Sequence, residues 1–344
     1  MRLIISGGWF GKEGLFEAKV RNFKALDSLE GLRDLSYGFV VLSYSLSSET
    51  LGLRVKSSDI PPIVYLEIER LERFSHRPKE TRLGNLSSSF SAEGYKNSVK
   101  EIKRLISEGV FYQLNLTCRF DFLLYGDPID LFVRYYTRQP VPYAFFLELE
   151  DFYIISGSME LFLQKQGDLI ISKPIKGTAK SKEDLMKSEK DKAENLMITD
   201  MVRNDLSRIA ICGSVRVQEL FKIEEYKTLF QMHSTVVAKT NKDLQEILRK
   251  TFPPASVVGA PKRKAVEVIE QLEPHSRDYY CGAGGLVNGQ DFTLNVLIRT
   301  AIGSGNRVSY FAGAGIVWDS SPEREWEEVL LKTQAFRKSA CIGE

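Results

Sequence analysis

Alternating apolar and polar positions over residues 38–46 and 63–69 predict two strands, parted by Ser57-Ser58-Asp59 and Pro61-Pro62. The serine-rich stretch 83–91, with Gly84 and Asn85, predicts a linker. From Ser91 the period lengthens: Tyr95, Val99, Ile102, Leu105 and Ile106 fall on one helical face, capped by Ser91 and ended by Gly109. Strand patterns follow at 110–120, 143–149, 152–156 and 161–172, the last folded at Gln166-Gly167. A short helix runs from Asp127-Pro128 to about residue 136. Ser181 and Asp184 resemble a capping box and open one long helix to about residue 202. Beyond it, 214–220 and 233–239 are strand-like, and 243–250 and 261–272 are helical. Residues 279–287, 292–301 and 307–311 form a β meander, turned at Asn288-Gly289 and 303–306. Asp319-Ser320-Ser321-Pro322 starts a last helix to about residue 337. Hairpins interspersed with long helices predict an α+β fold on an antiparallel sheet system rather than regular βαβ winding. Residues 1–90 carry the weakest pattern and are expected to add strands to the same fold as 91–344, where the candidate chemistry lies.

Composition narrows this picture by exclusion. The 344 residues are 43% hydrophobic and 27% charged, as in ordinary globular proteins. With Lys+Arg 47 and Asp+Glu 45 the net charge is +2, so no strong field recruits nucleic acid or an anionic membrane. The basic cluster Lys262-Arg263-Lys264 is short and reads as a solvated helix face. Cys118, Cys212, Cys281 and Cys341 are widely spaced, which suits reduced thiols in a cytoplasm better than disulfides or a zinc site. No apolar run approaches membrane-spanning length, and three histidines (His76, His233, His275) argue against a multi-histidine metal centre.

Candidate chemistry centres on Lys173–Thr178. Pro174 fixes φ and biases Lys173 toward an extended backbone, and Gly177 permits a tight approach beside Lys176. A lysine at a strand end is ordinarily solvated. Two acid pairs at helical i,i+3 spacing, Asp191 with Glu194 and Glu325 with Glu328, each share a face. Either pair alone reads as a solvated helix surface; together they suit Mg²⁺, which takes one or two carboxylates plus waters and anionic ligand groups. Ala312-Gly313-Ala314-Gly315 reads as a small-residue turn that either packs closely or presents backbone N–H groups to a carboxylate. Gly259-Ala260-Pro261-Lys262 is either an anion-binding loop or a plain helix start. Arg299, read within the apolar strand Val296-Leu297-Ile298, needs an anionic partner. There is no Walker loop, nucleophile elbow, dinucleotide fingerprint or HExxH motif.

Several ordered blocks between Phe90 and Arg337 resemble the chorismate-utilising enzymes, and within them the aminodeoxychorismate branch. They are Phe111-Tyr112-Gln113-Leu114-Asn115-Leu116-Thr117, Ser158-Met159-Glu160-Leu161-Phe162, Pro174-Ile175-Lys176-Gly177-Thr178 and Ala193-Glu194-Asn195-Leu196-Met197-Ile198 with Asp200 and Arg203-Asn204-Asp205. Then come Gly259-Ala260-Pro261-Lys262, Tyr280-Cys281-Gly282, Ala312–Val317 and Asp319-Ser320 with Glu325 and Glu328. The resemblance implies two facing antiparallel sheets flanked by helices, a Mg²⁺-dependent chorismate site and ammonia delivered by a separate glutamine amidotransferase subunit. Position by position, it implies Glu194 and Glu328 as metal-contacting acids with Glu325 and Asp191 beside them. It implies Arg299, Tyr280, Lys332 and the backbone of Gly313, Ala314 and Gly315 as binders of substrate. Glu160 matches the acid that protonates the departing 4-hydroxyl, Lys176 the amine that attacks C2, and His233 and Asn115 further catalytic positions. Ammonia then adds at C4 and yields 4-amino-4-deoxychorismate, the precursor of 4-aminobenzoate and folate.

Relatives part at few positions. Anthranilate synthases, the nearest alternative, carry a small residue where Lys176 stands, and isochorismate and salicylate synthases a lysine where Gln113 lies. A partner-binding scaffold without activity would lack the metal acids, which are present. Met159, Leu161 and Val258 depart from the family pattern, and Val258 removes a hydroxyl common there. No segment matches the tryptophan-sensing motif of anthranilate synthases, so no tryptophan feedback site is expected.

Overall fold

The computed structural model describes residues 1–227 and 229–340; Cys341 lies outside them. The first part of the chain holds β1 (Arg2–Ser6), β2 (Leu15–Leu26), β3 (Gly38–Leu42), α1 (Ser47–Leu51), β4 (Ile63–Phe74) and β5 (Arg82–Ser88). Next come α2 (Ala92–Ser107), β6 (Gln113–Tyr125), α3 (Pro128–Arg138), β7 (Tyr143–Glu148), β8 (Tyr153–Ser158), β9 (Leu161–Gln166), β10 (Leu169–Lys173) and β11 (Ile175–Ala179). Then follow α4 (Lys182–Lys187), α5 (Glu189–Ser207), β12 (Arg216–Glu225), β13 (Phe230–Lys239), α6 (Leu244–Thr251), β14 (Gly259–Ala260) and α7 (Lys262–Leu272). The chain closes with β15 (Ala283–Asn288), β16 (Asp291–Val296), β17 (Thr300–Ser304), β18 (Arg307–Ile316) and α8 (Pro322–Arg337).

Every strand pairing among the described residues is antiparallel, as expected of an α+β fold. One ribbon of hydrogen-bonded strands runs β13, β10, β9, β16, β15, β3, β4, β2. It crosses through β1 into β7, β8, β17, β18, β6 and β5. Its two halves are the two facing sheets. Leu3 and Ile5 of β1, Phe39 and Val41 of β3, and Phe145 and Leu147 of β7 fill the layer between them, with the rings of Phe39 and Phe145 5.0 Å apart. Burial of these side chains, each worth about 1.5–3 kcal/mol, drives the closure. The helices cover a larger second core, in which Tyr95, Val99 and Ile102 of α2 are fully buried and Phe336 of α8 stacks on Tyr310 at 4.5 Å. None of the helices among the described residues is long and apolar enough to cross a membrane.

Several boundaries differ from the sequence pattern, each for a physical reason. The expected linker at 83–91 is largely β5, an edge strand on β6 whose serines and asparagine face solvent and so break the apolar alternation. The single helix from Ser181 is two: Ser188 starts α5 by accepting the Asp191 N–H at 3.2 Å. Residues 292–301 split into β16 and β17 at a tight turn closed by Ile298 N–H to Val296 O at 2.8 Å. Arg299 therefore lies outside any strand, at φ 54°. The expected turn at Ala312–Gly315 is the far end of β18, held straight by its ladder to β6. β1 and β2 had no clear sequence signal; β2 is long and only half of it is exposed.

Candidate active site

A cleft of about 690 Å³ opens between β11, α5 and α8 on one side and β6, β18 and the turn before β17 on the other. The sheet side is built largely from backbone. In the β6–β18 ladder Gly313 lies opposite Thr117 and Gly315 opposite Asn115. Asn115 N–H is bonded to Val258 O at 2.7 Å and Thr117 N–H to Glu273 Oε1 at 2.7 Å, so these are the pairs without mutual hydrogen bonds. Gly313 and Gly315 consequently turn their N–H groups away from β6, along an edge of β18 that β17 no longer covers beyond Tyr310. By the same alternation Ala314 spends its N–H on Leu116. Its backbone is withdrawn from the cleft, which corrects its place among the binders. A side chain at Gly315 would strike Gln113 Nε2, 2.5 Å from the Cβ position.

Tyr280, stacked on Phe311 at 5.2 Å, and Asn115 also line this side. Arg299 lines it from the turn, donating Nη1 to Lys332 O at 3.2 Å. The positive φ aims its guanidinium into the cleft instead of across a sheet face. Lys332 sits under the same edge: its ammonium donates to Gly313 O at 2.7 Å and Glu328 Oε1 at 2.6 Å. Burial pulls the Lys332 pKa below its ordinary value, against the pull of Glu328.

Lys176 reaches the cleft from a β-bulge. Ile175 pairs with His233 and Thr178 with Gln231, so the register slips at Lys176-Gly177. Bulges re-aim side chains, and here Lys176 Nζ comes 3.6 Å from the Cβ position of Gly315 on the opposite wall. Gly177 holds φ 91°, and a Cβ there would meet the Asp191 side chain at 3.0 Å. Glu160, just before β9, is 4% exposed. Burial pushes its pKa up to about 7, opposed by the neighbouring Ser256 hydroxyl and the charge of Lys176.

The opposite wall carries Asp191, Glu194, Glu325 and Glu328. Among the described residues no three acidic, histidine or cysteine side chains converge enough to hold an ion unaided. The four acids share this wall, and resident ammonium groups stand beside two of them. Lys190 lies 3.7 Å from Glu194, and Lys332 holds Glu328. Burial raises Glu194, with Glu328 and Asp191 adding to the rise against Lys176 and Lys190. Burial also raises Glu325, with Glu328 and Glu194 adding and the Ser320 hydroxyl opposing. Burial works upward on Glu328 too, but Lys332 outweighs it and holds the pKa below the ordinary value. Oxygen-only donors that repel one another across two helices fit a hard divalent cation completed by water and ligand oxygens.

His233 is not part of the cleft wall. It sits on β13 with Nε2 3.7 Å from Glu224 Oε2, and burial lowers its pKa, leaving the ring neutral at neutral pH. Ser256 and Lys190 are among the wall residues that escaped the sequence reading. Ser256 is the lone hydroxyl in the apolar run Ala255–Val258, and that was its only signal; Lys190 was indistinguishable from other helix lysines. Of the three departures from the family pattern, Met159 lines the cleft, whereas Leu161 and Val258 are buried outside it.

The sequence pattern of the chorismate binding enzyme family matches residues 44–338. Aminodeoxychorismate synthase component 1 of Bacillus subtilis (strain 168) is 33% identical over 353 aligned positions, covering 94% of this chain and 75% of that protein. Anthranilate synthase component 1 of Aquifex aeolicus (strain VF5) is 36% identical over 279 positions, covering 77% of this chain; the chain spans only 56% of that relative's length. Among solved structures, anthranilate synthase component I from Streptococcus pneumoniae TIGR4 superimposes with a TM-score of 0.79 at 22% identity, covering 98% of this chain and 92% of that one. The menaquinone-specific isochorismate synthase MenF of Escherichia coli gives a TM-score of 0.79 at 17% identity, covering 99% and 88%. At these identities the two structures speak to the fold, and the fold is the same.

Proposed function

This chain belongs to the chorismate binding enzyme family, and from that membership we propose that it aminates chorismate to 4-amino-4-deoxychorismate. Similarity alone does not choose between amination at C4 and anthranilate formation, since relatives of both names match almost equally well. The observation that carries the choice is Lys176, bulged into the cleft against Gly315 and electrostatically coupled to the buried Glu160.

The residues divide the work as follows. The N–H groups of Gly313 and Gly315, the Arg299 guanidinium and Tyr280 bind the substrate's carboxylates. Asn115 lines the pocket beside them. Glu160 is largely protonated below pH 7 and gives its proton to the departing 4-hydroxyl, which leaves as water. Lys176, once its ammonium proton has passed to solvent, forms a bond from its neutral amine to C2 as the C4–O bond breaks and the ring double bonds shift. Ammonia then bonds to C4, the C2–N bond breaks, and Lys176 recovers its electron pair. A proton from the new ammonium group returns to the Glu160 carboxylate. Water is the only by-product, so atoms and charge balance.

Mg²⁺ is part of the proposal: held by Glu194 and Glu328, with Glu325 and Asp191 alongside, it would neutralise a substrate carboxylate and withdraw electrons from the ring. Ammonia from a glutamine amidotransferase partner is a further part, supported by the designation of the relatives as component 1. A cytoplasmic location and a contribution to 4-aminobenzoate and folate synthesis complete it; the free thiols Cys118, Cys212 and Cys281 accord with that compartment.

Incubation of the purified chain with chorismate, Mg²⁺ and ammonium salt tests the reading. The expected product is 4-amino-4-deoxychorismate, detected as 4-aminobenzoate after added lyase, and it should disappear when EDTA replaces Mg²⁺. Fluorescent anthranilate in its place would assign the chain to the alternative activity.

A further inference from the structure

The geometry points to a second ligand site beside the cleft: a chamber between α3 and α8 that fits a single-ring aromatic carboxylate. The chamber encloses about 300 Å³. A partition that includes Met159, Arg299 and Leu331 separates it from the cleft and lines both. Its remaining walls are its own, and nothing in them depends on the amination reading.

Helix α3 supplies the rings. Phe132, Tyr135 and Tyr136 stand three and four positions apart, hence on one helical face, and all three line the chamber. Phe132 and Tyr136 are stacked with centroids 6.4 Å apart, and Tyr135 meets Phe336 of α8 edge-on at 5.6 Å. The Tyr135 hydroxyl donates to Arg299 O at 3.4 Å. Tyr135 lies against β8 because Gly157 has no side chain: a Cβ there would come within 2.6 Å of the ring. Val141 and Ala144 add apolar floor, and Met159 offers a thioether, which favours aromatic neighbours. An apolar hollow of roughly 150 Å³ is enough for benzene, so this one takes a single ring with its substituents.

Charge selects an anion. Arg138, Arg299 and Lys338 line the chamber, and none of the described residues lining it is acidic. Arg138 and Lys338 are exposed and stand where α3 and α8 end, at the mouth. Cations suit helix C-termini, and Arg138 donates Nη1 to Lys338 O at 3.1 Å. That bond occupies one of the five donors of a guanidinium. A carboxylate at the mouth, with its ring turned inward, meets both mouth cations and leaves undisturbed the bond from Arg299 to Lys332 O on the cleft side. A neutral ring gains only the apolar half of this fit.

Calorimetric titration of the full chain with benzoate tests the site. Mg²⁺ and saturating chorismate, without ammonium salt, keep the cleft filled. Saturable binding with a Kd of about 0.1–1 mM is expected. Benzamide has the same shape without the charge and should bind at least about 10-fold more weakly. Lys338→Glu reverses one mouth charge and should weaken benzoate about 10-fold or more while chorismate affinity stays unchanged. Gln334→Glu, which places an anion at the same mouth, repeats the test on a second exposed residue. Displacement of benzoate by chorismate would overturn the inference, as would equal binding of benzamide, unchanged benzoate affinity in both variants, or no binding up to about 10 mM. Should chorismate itself not bind, the amination reading fails, and the two mouth variants still decide whether benzoate occupies the chamber.

Discussion

Glu160 and the acids of α5 and α8 face the same cleft in opposite settings. Glu160 is a single carboxyl sealed at a strand start, with one hydroxyl and one ammonium for company. Glu194, Glu325 and Glu328 are several carboxyls spread over two helices, where each anion discourages the next and Lys190 and Lys332 intervene. The first setting stores a proton near neutrality. The second gathers negative charge that Lys190 and Lys332 offset in part. In the proposed mechanism one residue type is thereby divided between acid and ligand by environment alone, which sequence cannot display.

Three variants would break or sharpen this contrast. Lys176→Ala removes the proposed nucleophile that stands between the two settings. Formation of the 4-amino product should fall on the order of 10⁴-fold or more, while chorismate affinity by calorimetry changes little; equal loss of both would make Lys176 a binding residue. Glu160→Gln should lower kcat about 10²- to 10⁴-fold. For the native chain, the donor is protonated below its pKa, so kcat should decline as pH rises through about 7, and that alkaline limb should vanish in the variant. A limb that persists in Glu160→Gln would belong to another group. Gly177→Ala touches the acidic side indirectly, by forcing φ 91° on a residue with a Cβ and pressing on Asp191. A loss of about 1–3 kcal/mol in thermal or denaturant unfolding is expected, together with weaker Mg²⁺ binding; an unchanged melting curve would mean that the bulge relaxes freely.

Much of this was legible from sequence where periodicity and local chemistry agree. Helix α2 announced itself through Tyr95, Val99 and Ile102 and its Ser91 cap, and the acids of α5 and α8 through i,i+3 spacing. Legibility ended where long-range pairing decides. Ala312–Gly315 reads locally as a turn and becomes a strand only because β6 lies beside it. Arg299 reads as a strand residue and becomes a turn because Ile298 bonds back to Val296. The seating of β6 against the Ala255–Val258 run depends on long-range contacts such as Asn115 N–H to Val258 O, and no local pattern encodes them.

The edge of β18 beyond Tyr310 has a consequence outside catalysis. An unpaired strand edge is a template for adding a foreign strand, and here it is the very row of N–H groups assigned to the substrate. It is guarded by a helix: α8 packs Phe336 on Tyr310 and lowers Lys332 onto the carbonyl of Gly313. The same side chains of α8 that shape the pocket therefore also cover the end of an open strand edge.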